Sequence, residues 1–161
     1  MNKLLAQTML VVTICGVTSA QQVAAQPATW PSAAADSADA LATFQENIAA
    51  IHTRNRPRYL ATYVHTPRLL RHSPQQLEAG YDGWSALTDN SWPDTLIVRE
   101  LRVAPIAPGV VYGYYRYIGV PTKGDTLTGV STRVFVRTPT GMKITVTASW
   151  NDPIASAAAK R

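Results

Sequence analysis

The sequence predicts an α+β fold, with N-terminal helices packed on an antiparallel β-sheet. Three observations carry this. Leu41, Phe44, Ile48 and Ile51 recur at helical offsets of 0, 3, 7 and 10. From Leu96 onward the chain changes to runs rich in Val, Ile, Thr and Tyr, separated by Pro- and Gly-containing turns. The connections between those runs are short, which makes successive strands antiparallel neighbours.

The 161 residues, 46% of them hydrophobic and 16% charged, supply core for one globular domain and not for two sizeable ones. Lys+Arg 15 against Asp+Glu 10 leaves a formal charge of +5. The basic residues are scattered. Arg54, Arg56 and Arg58 form the one local cluster, with no Gly-rich or aromatic companion. It reads as a solvated interhelix loop, not as a nucleic-acid patch.

Lys3 and the apolar run Leu4 to Val17, followed by small residues, read as a secretory signal cleaved after Ala20 or Ala25. The run falls short of the ~20 residues of a membrane-spanning helix. The division is then signal peptide 1–25, flexible lead-in 26–35, folded domain 36–150 and flexible tail 151–161. The expected product is secreted or periplasmic, without a membrane span. Cys15, the single cysteine, lies inside the signal, and Ile14 before it is too large for lipidation. The mature chain has no disulfide, thiol nucleophile or cysteine metal site.

Asp36 or Ser37 can cap the first helix, with Asp39 in its first turn. Asn55-Arg56-Pro57 stops it, and Pro57 suits the first turn of a short second helix carrying Leu60, Tyr63 and Val64. Arg68 to His72 reads as a brief strand, and Tyr81 to Leu87 as a third short helix. Four strands follow: Leu96 to Val103, Val110 to Val120, Thr126 to Thr138 and Met142 to Trp150. With Pro139-Thr140-Gly141 as a three-residue loop, Val136 pairs with Ile144, Val134 with Val146 and Thr132 with Ala148. Side-chain alternation then makes Val134, Val136, Ile144 and Val146 an apolar floor under the first helix. Arg133, Phe135 and Arg137 fall on the other face.

Ala40 to Val64 as paired helices, Gly80-Tyr81-Asp82-Gly83-Trp84 as a middle helix, and Ser131 to Arg137 followed by Gly141-Met142-Lys143-Ile144 resemble the NTF2-like (SnoaL-like) superfamily. The closing block is similar to that of its DUF4440 subgroup. The resemblance spans about Asp36 to Ser149. It implies a cystatin-like cone, a curved sheet and helices around a hydrophobic pocket, in which some relatives catalyse and others only bind. Three departures imply an apolar interior here. Met142 stands where the pattern has Trp, His65-Thr66-Pro67 replaces an often acidic corner, and Val146 and Ala148 occupy positions that often present a His.

His72, on the short strand, is the candidate general base. His65 reads as an exposed corner residue and His52 as a favourable helix C-terminal charge. The histidine spacings of 13 and 7 match no metal signature, so no metal or cofactor is expected. Asp82, Asp89, Asp94 and Glu100 stand singly. Aromatic residues are the stronger clue. Tyr112 and Tyr114 share one strand face, Tyr115 and Tyr117 the other, and Trp84 and Trp150 can rim a pocket. The expected ligand-binding set is Tyr63, His72, Trp84, Tyr112, Tyr114, Val146 and Trp150. Two functions from different classes follow. One is a domain that holds a small apolar ligand, or forms a homodimer through its sheet. The alternative is an isomerase, dehydratase or hydrolase with His72 as base and a pocket tyrosine as hydrogen-bond donor. A short distance between His72 and a tyrosine hydroxyl in one cavity would favour the second.

Overall fold

The computed structural model describes residues 32–87, 95–121 and 126–152. The segments read as signal peptide, as lead-in up to residue 31 and as tail from residue 153 lie outside the described residues, as do Asp89 and Asp94.

Helix α1 runs Ala33–His52, starting inside the segment read as lead-in. Asp36 is a first-turn residue and not the cap. Its buried carboxylate accepts hydrogen bonds from Ser32 Oγ, Gly109 N and Arg137. Ala40, Phe44, Asn47, Ile48 and Ile51 form the buried stripe. Leu41 lies at its edge, half-buried. At the other end, His52 Nε2–H donates to Leu96 O at 2.8 Å, tying the helix to the sheet. Asn55 caps α2 (Arg56–Leu60) by accepting from Arg58 N. Helix α3 is Tyr81–Leu87.

The sheet has six strands: β1 (Leu70–His72), β2 (Leu77–Ala79), β3 (Thr95–Ala107), β4 (Val110–Val120), β5 (Leu127–Thr138) and β6 (Gly141–Asn151), ordered β2-β1-β6-β5-β4-β3. It is mixed and not purely antiparallel, because β1 runs parallel to β6. Residues 62–64 begin that parallel track. Val64 N donates to Ile144 O and Ile144 N to Thr62 O, each at 2.9 Å. Strand β3 continues through Pro105-Ile106-Ala107, which reads as turn in the sequence. A bulge accommodates the proline, so the turn shrinks to Pro108-Gly109.

The β5–β6 hairpin corrects the expected floor. Its loop is the two residues Pro139-Thr140, with Gly141 at φ 109°, and Phe135 pairs with Ile144. A bulge then restores the expected pairs Val134 with Val146, Thr132 with Ala148 and Val130 with Trp150. The face under α1 carries Ser131, Arg133, Phe135, Met142, Ile144 and Thr147, all buried. Val134, Val136 and Val146 point to the outer face, half-buried. In-strand glycines mark the inner face. A Cβ on Gly113 would stand 2.9 Å from the Phe135 ring, and one on Gly129 would meet Tyr117 Oη at 2.6 Å.

Candidate functional site

Register decides which side chains meet inside. Arg71 of β1, Thr147 of β6, Arg133 of β5 and Gly113 of β4 are successive partners across the sheet. Gly113, lacking a side chain, leaves room for the Phe135 ring, and Arg133 reaches toward α1. The Arg133 guanidinium carbon lies 4.9 Å from the Phe44 ring centre and 5.2 Å from that of Tyr115. Those two rings meet edge to face at 5.0 Å. Nη2 donates to Tyr115 Oη at 3.0 Å. Only 3% of Arg133 is exposed, and its Nε and Nη1 make no hydrogen bond to any described residue.

Helices α2 and α3 close the site from the side. Tyr59 and Tyr63, one helical turn apart, share a 2.9 Å hydroxyl–hydroxyl hydrogen bond. Trp84 packs on Tyr63 at 4.6 Å and on Tyr59 at 6.0 Å. The Arg71 guanidinium lies over the Trp84 ring at 4.7 Å while its Nη1 is held by Glu78 at 2.7 Å. Trp84 Nε1 and Arg71 Nε are buried and, like Arg133 Nε and Nη1, have no acceptor among the described residues. Asn47 Nδ2 donates to Thr62 Oγ1 at 2.7 Å, leaving Asn47 Oδ1 buried without a donor.

Burial opposes the charge of Arg133, but the hydroxyls of Tyr115, Tyr63 and Tyr59 outweigh it and hold the guanidinium pKa above its usual value. Burial pushes the Tyr59 phenol well up, and neighbouring Tyr63 adds to this. Arg71 and Arg133 pull the other way. At neutral pH Tyr59 therefore keeps its proton and Arg133 is a buried cation. No hydrogen bond or ion pair among the described residues gives it a carboxylate.

Of the residues expected to line a pocket, Tyr63 and Trp84 are interior, and Trp84 is fully buried instead of rimming an opening. Tyr112, Tyr114 and Val146 lie on the outer face. Trp150 is 45% exposed and meets the exposed His72 ring edge-on at 6.1 Å. His72 pairs with Ala148, and the outer row continues through Thr132 to Tyr114. Three strand spacings, about 14 Å, separate His72 from that tyrosine. His72 and the interior hydroxyls of Tyr59, Tyr63 and Tyr115 lie on opposite faces. His65 bonds Asp82 at 2.8 Å with both side chains exposed. Glu100 is an exposed bulge residue at φ 50°. Among the described residues no group of acidic, His or Cys side chains could hold a metal ion.

The sequence reading missed Arg71, Arg133, Tyr59 and Asn47. Gly113 and Gly129 were the available signal, since a strand glycine marks a close approach on its own face. Both put the odd-numbered residues of β4 and β5 inside. Two open grooves beside the β5–β6 turn, of about 450 and 430 Å³, have charged linings already engaged. Arg58 pairs with Glu46, and Lys143 Nζ donates to Ala61 O.

No protein-family model matches the sequence. A comparison with curated proteins likewise finds no significant match. Solved structures do match. An NTF2-like protein of unknown function from Shewanella oneidensis MR-1 superposes with a TM-score of 0.62 at 19% identity, over 70% of this chain and 96% of that one. A cystatin-like fold protein from Burkholderia xenovorans LB400 gives 0.64 at 17%, over 73% and 92%. A DUF3225 protein of unknown function from Pectobacterium atrosepticum gives 0.63 at 15%, over 75% and 94%. At these identities the likeness establishes the fold alone: the chain has the NTF2-like, cystatin-like architecture.

Proposed function

We propose that this NTF2-like domain binds a small molecule on the inner face of its sheet, among Tyr59, Tyr63, Trp84, Tyr115 and Arg133, without transforming it. One observation carries the reading: a guanidinium buried among aromatic rings with two of its nitrogens unpartnered. Structural arginines buried for stability alone are normally saturated with acceptors. Aromatic walls with a few convergent polar groups are the usual lining of a small-molecule site. The inner residues offer donors and no general base, and His72 lies on the other face, so the enzyme alternative loses its support. Native mass spectrometry of the purified protein, with untargeted identification of what dissociates, tests this. A bound molecule retained by the parent and lost in Trp84→Ala is the expected result. A protein that emerges empty, and whose melting no small molecule shifts, overturns it.

A second reading rests on the outer face. Leu70, Val146, Val134, Tyr112 and Ala104 are successive partners in one apolar row across five strands. The described helices pack on the other face. A sheet face left to water normally carries polar residues, so a second copy of the chain is the occupant we propose. Sedimentation velocity of the purified protein reads it as a dimer or a monomer.

Export rests on the N-terminal pattern. No described helix is long and apolar enough to cross a membrane. Intact mass of the protein recovered outside the cytoplasm should correspond to a chain starting at Gln21 or Gln26. An N-terminus at Met1 would refute export by cleavage.

A further inference from the structure

We infer that the molecule bound inside carries a single negative charge, a carboxylate on a largely apolar or aromatic body, and that Arg133 is the residue that takes it. This rests on the ligand-binding reading above and names the ligand's class.

The charge count comes first. Among the described residues two guanidinium groups face the interior, those of Arg71 and Arg133. Arg71 is neutralised by Glu78 at 2.7 Å. Arg137 and Asp36, nearer the turn, neutralise each other at 2.7 Å. Arg133 remains, with Tyr115 as its hydrogen-bond acceptor and the rings of Phe44 and Tyr115 beside it. One buried positive charge is left without a counter-ion among the described residues. A monoanion cancels it. A phosphate dianion would replace one uncompensated charge by another of opposite sign.

Hydrogen-bond geometry selects the carboxylate. A guanidinium has two edges that grip a carboxylate with paired N–H groups, Nε with Nη2 and Nη1 with Nη2. Tyr115 takes one of the two Nη2 hydrogens. Nε and Nη1 are both unpartnered. Whichever Nη2 hydrogen Tyr115 uses, one complete edge stays open.

Two further unpartnered groups have the same sense. Trp84 Nε1 and Arg71 Nε are buried donors without acceptors. Trp84 packs on Tyr63 and Tyr59, whose hydroxyls act electrostatically on Arg133. Both Arg71 and Arg133 act electrostatically on the Tyr59 hydroxyl. An interior in which four unpartnered donor nitrogens outnumber the one unpartnered acceptor, Asn47 Oδ1, selects an acceptor-rich ligand, and a neutral hydrocarbon would leave all four nitrogens unsatisfied. The aromatic rings then accept an apolar body.

Matched pairs of probes test this: benzoate with benzamide, phenylacetate with phenylacetamide, hexanoate with hexanamide, and chloride and inorganic phosphate as ion controls. Binding is read by thermal shift and isothermal titration on the purified protein. At least one carboxylate should bind tenfold or more tighter than its amide. Arg133→Met should abolish that difference, and Arg133→Lys should restore only part of it, having the charge without the edge. Arg133→Met removes an uncompensated buried charge, so its ligand-free melting temperature should stay level or rise, which separates lost binding from lost folding. Equal affinity for carboxylate and amide, unchanged in Arg133→Met, would overturn the charge inference and leave ligand binding standing. Binding of chloride or phosphate alone would reduce the site to an adventitious ion only and overturn it as well. Absence of binding by every probe, together with an empty purified protein, would overturn both readings.

Discussion

Phe135 and Ile144 face one another across the β5–β6 pair, both fully buried, and the bulge that follows sends Val146 to the opposite face from Ile144. Residues two apart on one strand ordinarily share a face. Here the extra residue, Thr145, breaks that alternation. On β6 it puts Thr147 in the interior with Ile144 and leaves Val146 outside, whereas β5 alternates without interruption, with Ser131, Arg133 and Phe135 inside and Val134 outside.

Two pairs of variants check this register. Phe135→Ala should cost about 3–5 kcal/mol, as a buried aromatic truncation does, and Val136→Ala about 1 kcal/mol or less. Ile144→Asp should prevent stable folding through an unpaired buried carboxylate, whereas Val146→Asp should fold with a modest loss. Chemical denaturation of all four reads the outcome. Equal losses for Ile144→Asp and Val146→Asp would return both residues to one face.

The sequence revealed this fold more readily than its site, for a physical reason. Helical periodicity identified α1, Pro57 placed the start of α2, and Pro- and Gly-containing turns separated the last four strands. Those signals are local. Strand β2 was missed because its three residues, Leu77-Glu78-Ala79, follow the polar run Ser73-Pro74-Gln75-Gln76 and carry no β-branched or aromatic residue to mark a strand. The inner face was misassigned because the rule that the apolar face is covered fails here. Strand β5 carries Val130, Val134 and Val136 on one side and Arg133, Phe135 and Arg137 on the other, and the second side is the buried one. Departures from binary patterning concentrate where a protein does something besides fold. An interior arginine and an exterior valine row are two such departures.

Asp36 joins three elements. It accepts from Arg137 Nε at 3.0 Å and Nη2 at 2.7 Å, from the β3–β4 turn through Gly109 N at 2.9 Å, and from Ser32 Oγ at 3.0 Å. Its carboxylate is fully buried while Arg137 is 40% exposed, so the acid is the more sensitive partner. Asp36→Ala should strand Gly109 N–H and half of the Arg137 fork, lowering the melting temperature by roughly 5–10 °C. Asp39→Ala, removing the more exposed partner of Arg137, should change it by only a degree or two. Differential scanning fluorimetry distinguishes the two, and equal shifts would deny Asp36 this role.

Alkaline pH should destabilise the domain through Tyr59. Burial raises its phenol pKa well above the reference value of 10.0 in the folded state. The unfolded chain loses that proton first as pH rises, so unfolding is favoured from about pH 10 upward until the folded-state value is passed. Below pH 10 both states hold the proton and the contribution is fully present. Burial and neighbouring Tyr115 shift Tyr117 in the same direction. Absorbance titration at 295 nm should show fewer tyrosines ionising near pH 10 in the folded protein than in denaturant. Tyr59→Phe should flatten the fall in stability above pH 10. An unchanged slope in that variant would place the titration elsewhere.

The outer apolar row gives the last test. Val134 and Tyr112 are neighbours in register at its centre, and Tyr112 is 38% exposed. If two copies meet face to face, a lysine at either position puts an ammonium into a desolvated interface, which costs more than the same ammonium in water. Val134→Lys should therefore yield a monomer in sedimentation velocity at concentrations where the parent is dimeric. Its circular dichroism should match the parent's, because the side chain points away from the core that α1 covers. Ile106→Lys, at the far end of β3 and already 58% exposed, should remain dimeric. A parent that sediments as a monomer, or a Val134→Lys variant that still dimerises, would leave this row without a partner of its own kind. The inner site would be untouched by that result, since Arg133 and Val134 are adjacent in sequence but project to opposite faces of the sheet.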